Sequence, residues 1–268
     1  MKNPFVGKTV VITGGANGIG FELAKGFAAS DANVWVLDHS QKSLDALNKS
    51  APNIFCLNAD VTKIEELEAC AEKVHTAHNS IDYWINNAGI VDLGPFHESN
   101  LEKFNQVINV NLLGVTNGSR VAVKYMMPQK RGHIINIASM AGILTPVFMS
   151  SYATSKAAVV SFSRALREEM KILDSNIKVT MVAPGFVNTA ILSREAEFGF
   201  PSLFDSLVAS AHATAKEIIK GIKSGREELF PTWNAKAMRV IEKLPPITGK
   251  LSRALYKREY QAQLEGRN

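Results

Sequence analysis

The chain has 268 residues, 46% hydrophobic and 21% charged, which suits one large α/β domain with a sizeable core better than two small ones. No stretch reaches the roughly 18 uninterrupted apolar residues of a membrane-spanning helix, and the apolar run near the N-terminus is too short for a secretory signal, so a cytoplasmic location is expected. The net charge of +5 belongs to the tail, where twelve Lys/Arg stand against six Asp/Glu from Lys216 onward; no aromatic residues interleave with them as a nucleic-acid groove requires, so no nucleic-acid partner is expected.

Thr9 to Thr13 is a β-branched run that reads as a strand buried on both faces, as parallel sheets require. Gly14-Gly15-Ala16-Asn17-Gly18-Ile19-Gly20 follows at once, and Phe21 to Ala29 reads as a helix. Glycines at such a junction let the backbone approach a pyrophosphate, whose charge the helix N-terminus favours. The spacing G-x-x-x-G-x-G differs from the commoner G-x-G-x-x-G. The second strand, Asn33 to Leu37, ends at Asp38, where an acidic residue is expected to bind the adenosine ribose; the plainer alternative is a carboxylate capping the helix near Gln41 to Leu47.

Ile54 to Leu57 is a third strand. After Asp60-Val61, Thr62 and Glu65 form a capping box that opens a helix over Ile64 to Ala77. Cys56 falls in the strand and Cys70 in the helix; neither has metal-ligand spacing, so both read as buried fillers, with no disulfide framework and no metal site. Asp82 to Ile85 is a fourth strand running into Asn86-Asn87-Ala88-Gly89, small residues that leave room for a cofactor. Leu101 to Met127 has a long helical pattern broken by Asn111, a residue that competes for backbone groups, so it either bends the helix or serves through its side chain.

The strand Gly132 to Ala138 carries Ser139 at its end, and a helix from Ser151 to Leu173 follows. Tyr152 and Lys156 lie one turn apart on that helix, so the ammonium is expected near the phenol, lowering its pKa toward useful acid/base range. Ser139 would then hold the same substrate oxygen that Tyr152 protonates or deprotonates. Asn176 to Val182 is the sixth strand, ended by Pro184-Gly185. Six strands alternating with helices predict a doubly wound, mostly parallel, Rossmann-like sheet with helices on both faces and ligands beyond the strand carboxyl ends. Gly14, Asp38, Asn86, Ser139 and Pro184 all follow strands.

In the order and spacing of TGGANGIG (13 to 20), Asp60-Val61, NNAG (86 to 89), Asn111, Ser139, Tyr152-x-x-x-Lys156 and Pro184-Gly185-Phe-Val-Asn-Thr189, the chain resembles the short-chain dehydrogenase/reductase family from residue 7 to about 230. The resemblance implies that Tyr152 is the acid/base, that Lys156 lowers its pKa and binds the nicotinamide ribose, that Ser139 positions the substrate oxygen, and that Asn111 holds a water of a proton relay. It implies that Gly14, Asn17, Gly18, Ile19, Gly20 and Asp38 bind the cofactor and that Asp60 and Val61 frame the adenine. Asn87 and Ala88 then line the cofactor wall, Val187 and Thr189 meet the carboxamide end, and Gly89, Pro184 and Gly185 also belong to the cofactor site. A seventh strand is expected at Glu228-Leu229-Phe230, and a homodimer or homotetramer through the two long helices. The function so implied is NAD-dependent hydride transfer to or from a secondary alcohol or ketone. NADP is disfavoured because a carboxylate about 4 Å from the extra phosphate repels it by about 4 kcal/mol at an effective dielectric near 20. The alternatives are an NADP-dependent carbonyl reductase, a sugar-nucleotide epimerase, which the length and TGGANGIG disfavour, and a sensor that binds cofactor without turnover.

Residues 186 to 210, where the family carries its substrate loop, hold Phe186, Ile191, Leu192, Phe198, Phe200, Leu203, Phe204 and Leu207; with Ile143, Leu144, Val147, Phe148 and Met149 they suggest an apolar pocket, the plainer alternative being a loop packed on its own body. A single domain is expected over 1 to 232, and a basic helical extension over 233 to 268. That extension sets Met238, Val240, Ile241, Leu244, Leu251 and Leu255 among Lys236, Arg239, Lys243, Lys250, Arg253, Lys257 and Arg258. Such a stripe suits a helix docked on its own domain or closing over the pocket, and also one lying on an anionic membrane.

Overall fold

A computed structural model describes residues 3–144, 146–188, 208–241 and 257. Its frame is a parallel sheet whose strands, in chain order, are β1 (Thr9–Thr13), β2 (Asn33–Asp38), β3 (Phe55–Asn58), β4 (Tyr83–Asn86), β5 (Gly132–Ile137), β6 (Ile177–Val182) and the short edge strand at Glu228–Leu229. Two short strands intervene, β7 (Val187–Asn188) and β8 (Ala209–Ser210), which among the described residues pair with each other, so the edge strand is β9. The sheet runs β3-β2-β1-β4-β5-β6-β9, every pair parallel, and the strand order reverses between β1 and β4. A crevice opens at such a reversal, beyond the carboxyl ends of the strands.

All five residues of β1 are buried, which explains its β-branched run. Val10 and Ile12 face one side with Leu23, Phe27 and Ile218, while Val11 faces the other with Val121, Met126 and Leu166. The first layer comes from α1 (Gly18–Ala28), α2 (Gln41–Ser50) and α8 (Ala211–Lys223); the second comes from α3 (Ile64–His78), α5 (Gly114–Gln129) and α7 (Ser150–Ile172). Two shorter helices, α4 (Leu101–Ile108) and α6 (Ala141–Leu144), lead into α5 and α7.

The expected strands appear within a residue or two of their bounds, and Glu228–Leu229 supplies the seventh. Three local expectations need correction. The capping box at Thr62 and Glu65 does not form: Lys63 stands at the N-cap of α3 without a side-chain bond. Instead the Thr62 amide and hydroxyl donate to Asp60 Oδ1, and Glu66 Oε2, one position later than expected, accepts from the Asp60 amide. Helix α1 begins at Gly18, inside the Gly-rich turn rather than after it. The long pattern at Leu101 to Met127 is two helices joined by a π turn over Asn109–Leu113. There both readings of Asn111 hold, since the helix is interrupted and the side chain is bonded.

Of the C-terminal extension, α9 (Trp233–Ile241) docks on the domain through buried Asn234 and Ala235, with Met238 packed beside them. Arg239 lies over the Phe230 ring, 5.4 Å from its centroid. The expectations for Glu242, Lys243, Leu244, Lys250, Leu251, Arg253, Leu255 and Arg258 lie outside the described residues. Among the described residues no helix is long and apolar enough to cross a membrane, and no group of three His, Cys, Asp or Glu is placed to hold a metal ion.

His133, buried in β5, gives the fold a pH dependence. Thr180 Oγ1 donates to the Arg226 carbonyl at 2.7 Å, so it accepts from His133 Nε2 at 2.8 Å. Burial, with the Lys178 ammonium nearby, pulls the imidazole from 6.5 down to about 3. The folded state therefore prefers neutral His133: its contribution is complete above the unfolded value near 6.5 and is lost as pH falls toward 3. The loss per unit approaches about 1.4 kcal/mol. Urea unfolding between pH 7 and 4 should show this decline, and His133→Gln, which keeps a donor for Thr180, should flatten it; parallel declines in the two proteins would exclude the assignment.

Candidate active site

Along the crevice lies a cleft of about 1040 Å³, at the upper end of the roughly 300–1,000 Å³ range of small-molecule sites. Its lining gathers Gly14, Asn17, Gly18 and Ile19 from the β1–α1 turn, Asp38 from the end of β2, and Asp60 and Val61 after β3. Asn87, Ala88 and Gly89 follow β4, Ser139 follows β5, Tyr152 and Lys156 come from α7, and Pro184, Gly185 and Val187 follow β6. Residues scattered over most of the chain thus meet because parallel strands all end on one side.

The cradle at the β1–α1 turn depends on glycine. Gly14 has φ of +61°, and a Cβ there would come within 2.6 Å of Ala88 Cα, so only a bare backbone fits between the two turns. Asn17 caps α1 with no side-chain bond to the helix, leaving the first-turn amides for an anion. Asn87 holds the neighbouring turn in place, its Nδ2 donating to the carbonyls of Thr13 and Gly14 at 3.2 and 2.8 Å. Asp38 is 8% exposed; its carboxylate accepts from the amides of Ala16 at 3.3 Å and Ser40 at 3.1 Å. The carboxylate faces the cleft without a Lys or Arg partner among the ion pairs of the described residues, only exposed His39 at 3.4 Å. These features suit a dinucleotide: an amide-rich turn for the pyrophosphate and a fixed acceptor for ribose hydroxyls.

At the other end, Lys156 is 3% exposed and its Nζ donates to the Ile137 carbonyl at 2.8 Å, tying α7 to the end of β5. The same ammonium lies 5.8 Å from the centroid of the Tyr152 ring. Burial pulls the amine from 10.5 down to about 8, so it still carries its charge at neutral pH. Ser139 Oγ accepts from the Ala141 amide at 3.1 Å and bonds the Tyr152 phenol. The expected lowering of the phenol pKa is not found: burial pushes it above 10, and the bond from Ser139 offsets this only in part. An i,i+4 spacing supplies proximity to a charge, whereas the desolvated surroundings decide the sign.

Two expected site residues stand behind the cleft. Asn111 is fully buried, and its side chain is spent on structure. Its Oδ1 accepts from the Ile90 amide at 2.8 Å, and its Nδ2 donates to the Ile90 carbonyl at 2.9 Å and to Ser155 Oγ at 3.0 Å. Ser155 in turn donates to the Tyr152 carbonyl at 2.7 Å, so the π turn is clamped to the helix that carries Tyr152 and Lys156. Gly20 does not line the cleft; a Cβ there would strike the Gly14 carbonyl and Asn87 Nδ2, which makes it the point where α1 packs against both turns. Asn86, expected near a cofactor, is buried in a polar chain. Trp84 Nε1 donates to it at 2.8 Å, it donates to Ser119 Oγ at 3.0 Å and Asn136 Oδ1 at 2.8 Å, and Asn136 donates to Ser163 Oγ at 3.0 Å.

Of the expected apolar pocket, Leu144, Met149 and Phe186 line the cleft. Ile143 packs into the core beside Met140, Val147 is 40% exposed, and neither they nor Phe148 lines it. Thr189 and the apolar residues from Ile191 to Leu207 lie outside the described residues. Residues not singled out from the sequence also line the cleft: Ile90 and Val91, and the α4 face of Glu102, Asn105 and Gln106; Met238, named in the apolar stripe of the tail, lines it too. The spacing of 102, 105 and 106 marks a shared helix face, although nothing in the sequence says what that face meets.

The sequence pattern of the short chain dehydrogenase family matches residues 8–198. The chain is 36% identical over 197 residues to a 3-oxoacyl-(acyl-carrier-protein) reductase of Thermotoga maritima, covering 71% of this chain and 78% of that protein. It is 33% identical over 197 residues to 3beta-hydroxysteroid dehydrogenase 1 of Eggerthella lenta, covering 71% and 75%. A short chain dehydrogenase/reductase from Burkholderia phymatum, solved in complex with NAD, superposes with a TM-score of 0.77 at 26% identity over 88% of this chain and 92% of that one. An actinorhodin polyketide ketoreductase with NADPH shares the fold at a TM-score of 0.76 and 24% identity, over 84% and 95%.

Proposed function

Because this chain belongs to the short-chain dehydrogenase/reductase family of oxidoreductases, we propose that it moves a hydride between NAD(H) and a secondary alcohol or its ketone, with an apolar substrate. The observation that carries this reading is the convergence of Ser139, Tyr152 and buried Lys156 on one end of a cleft whose other end offers Gly14, Gly18 and Asp38. The two sequence relatives, a 3-oxoacyl-(acyl-carrier-protein) reductase and a 3beta-hydroxysteroid dehydrogenase, also point to a carbonyl or secondary alcohol. Bound NAD supplies the hydride acceptor for oxidation, and NADH the donor for reduction.

The chain's own residues handle the proton. In the oxidative direction Tyr152 takes the hydroxyl proton as phenolate, and in reduction it returns that proton to the carbonyl oxygen. Ser139, already bonded to the phenol, donates to the same substrate oxygen. Burial alone holds Tyr152 too high to ionise readily, so the Lys156 ammonium is the group that must lower it once substrate enters. Asn111 acts through Ser155, fixing the turn of α7 from which both side chains project. Leu144, Met149 and Phe186 give the catalytic end its apolar walls. A cofactor sensor without turnover would have no need of the bonded Ser139–Tyr152 pair beside a buried ammonium.

Tyr152→Phe removes the proton-transfer group while keeping the ring, so turnover of any accepted alcohol should fall by roughly two to four orders of magnitude with NAD affinity within a factor of about three. Stopped-flow NADH absorbance and fluorescence titration of NADH read the two effects separately, and wild-type turnover in this variant would exclude the assignment.

The Asp38 carboxylate, fixed by two amides and, among the described residues, unpaired with Lys or Arg, suits accepting from ribose hydroxyls and repelling a phosphate in their place. NAD should therefore give the higher kcat/KM, and Asp38→Ala should shift the ratio toward NADP by at least about tenfold. Equal efficiency with both cofactors in the native enzyme would contradict the reading.

A further inference from the structure

The cofactor and proton-transfer roles account for most of the cleft, but not for the segment after β9. There the chain leaves the sheet edge, turns at Thr232 and enters α9. This turn is pinned to the catalytic side of the cleft by a compact set of bonds. Thr232 Oγ1 accepts from the Gly185 amide at 3.1 Å and the Ala235 amide at 3.2 Å, and it also bonds Asn234 Oδ1. Asn234 Nδ2 donates to the Phe186 carbonyl at 3.0 Å. Thr232, Asn234 and Ala235 are all buried, so α9 starts from a rigid base built on the same Gly185-Phe186 backbone that walls the cleft.

One turn further on, Met238 of α9 lines the cleft. It is partly exposed, and packs against the group that holds Ala138 and Met140, the residues on either side of Ser139, together with Leu144. That neighbourhood places it at the catalytic end, away from Asp38 and Asp60. An unbranched thioether on a fixed helix makes an apolar wall that adapts to ligand shape.

We propose that Met238 is a specificity-determining residue, and that α9 forms the wall of the substrate pocket that limits the length of the apolar part of the substrate. The inference rests on the catalytic end being the substrate end, as Ser139 and Tyr152 imply. A short ketone seated at Tyr152 does not reach this wall; a long one does. Side-chain volume at position 238 therefore acts on long ligands and leaves short ones alone.

The test is a binding series, separate from turnover. Calorimetry with NAD-saturated protein measures the affinity of 2-alkanones from four to twelve carbons in the native enzyme and in Met238→Ala, Met238→Leu and Met238→Trp. Met238→Trp should weaken the longest ketones by at least about tenfold and leave the shortest within about twofold, since pocket contacts discriminate by roughly 10- to 200-fold. Met238→Leu should keep the native profile, and Met238→Ala should favour the longest members. A change of equal size at every chain length would assign Met238 to packing alone and overturn the proposal. So would an unchanged series in all variants, or no saturable binding of long ketones by the native protein. If the ketones bind with the expected length dependence while 2-alkanols yield no NADH, the hydride-transfer reading falls and the Met238 wall stands.

Discussion

The structure depends on a buried ammonium. Lys156 is enclosed at the junction of β5 and α7, where its Nζ is held by the Ile137 carbonyl. Removing a charge from water costs several kcal/mol even after relaxation, and the amine is pulled down to about 8 as a result. The surrounding bonds show what keeps that cost from being relieved by movement. Ser155, the residue before Lys156, is tied to Asn111, Asn111 is tied to Ile90, and Gly89 passes close against both Asn111 and Lys156. The π turn at Asn109–Leu113 is part of this clamp, and a local departure from α-helical bonding at a functional site is a common use of such turns.

The same arrangement explains why the phenol of Tyr152 is held high. A tyrosine placed to exchange a proton inside a cleft must lose solvent, and losing solvent disfavours phenolate. Ser139 opposes this with a hydrogen bond, and in the proposed mechanism Lys156 adds a charge. The two side chains come from different elements, so the proposed proton transfer depends on the packing of β5 against α7. Behind them the Asn86–Asn136–Ser163 chain fixes β4, β5 and α7 to one another with every member bonded, which gives the crevice a rigid floor.

Much of this was legible in the sequence because parallel β/α alternation writes itself plainly: buried β-branched runs, glycines at one turn, and polar residues at strand ends. Several site residues could be found by their position after strands, and Gly14, Asp38 and Ser139 lie where that logic puts them, while Tyr152 and Lys156 were marked by their one-turn spacing on a helix. What was not legible depends on three-dimensional surroundings. The sign of the Tyr152 shift is set by dielectric, which spacing does not encode. Asn136, Ser119 and Ser163 gain meaning only when strands pair and helices pack, since each satisfies a partner remote in sequence. Thr62 could bond forward to α3 or back to Asp60, and the geometry of the turn chose Asp60. The apolar spacing of the tail said that α9 has a buried face, but the contact of Met238 with the cleft follows from bonds between Thr232, Asn234 and the turn after β6.

The central claim is that the buried Lys156 charge makes Tyr152 a usable base, and the pH profile of alcohol oxidation tests it most directly. With Tyr152 as the base, kcat/KM rises with pH along a limb that reports its ionisation. Lys156→Met keeps much of the side-chain volume and removes the charge. The account predicts that this limb moves upward by at least about one pH unit in the variant, as the loss of a nearby positive charge requires, while the variant still folds and its short-wavelength circular dichroism is unchanged. A limb that stays in place in a folded variant would contradict the account and leave Lys156 a purely structural residue.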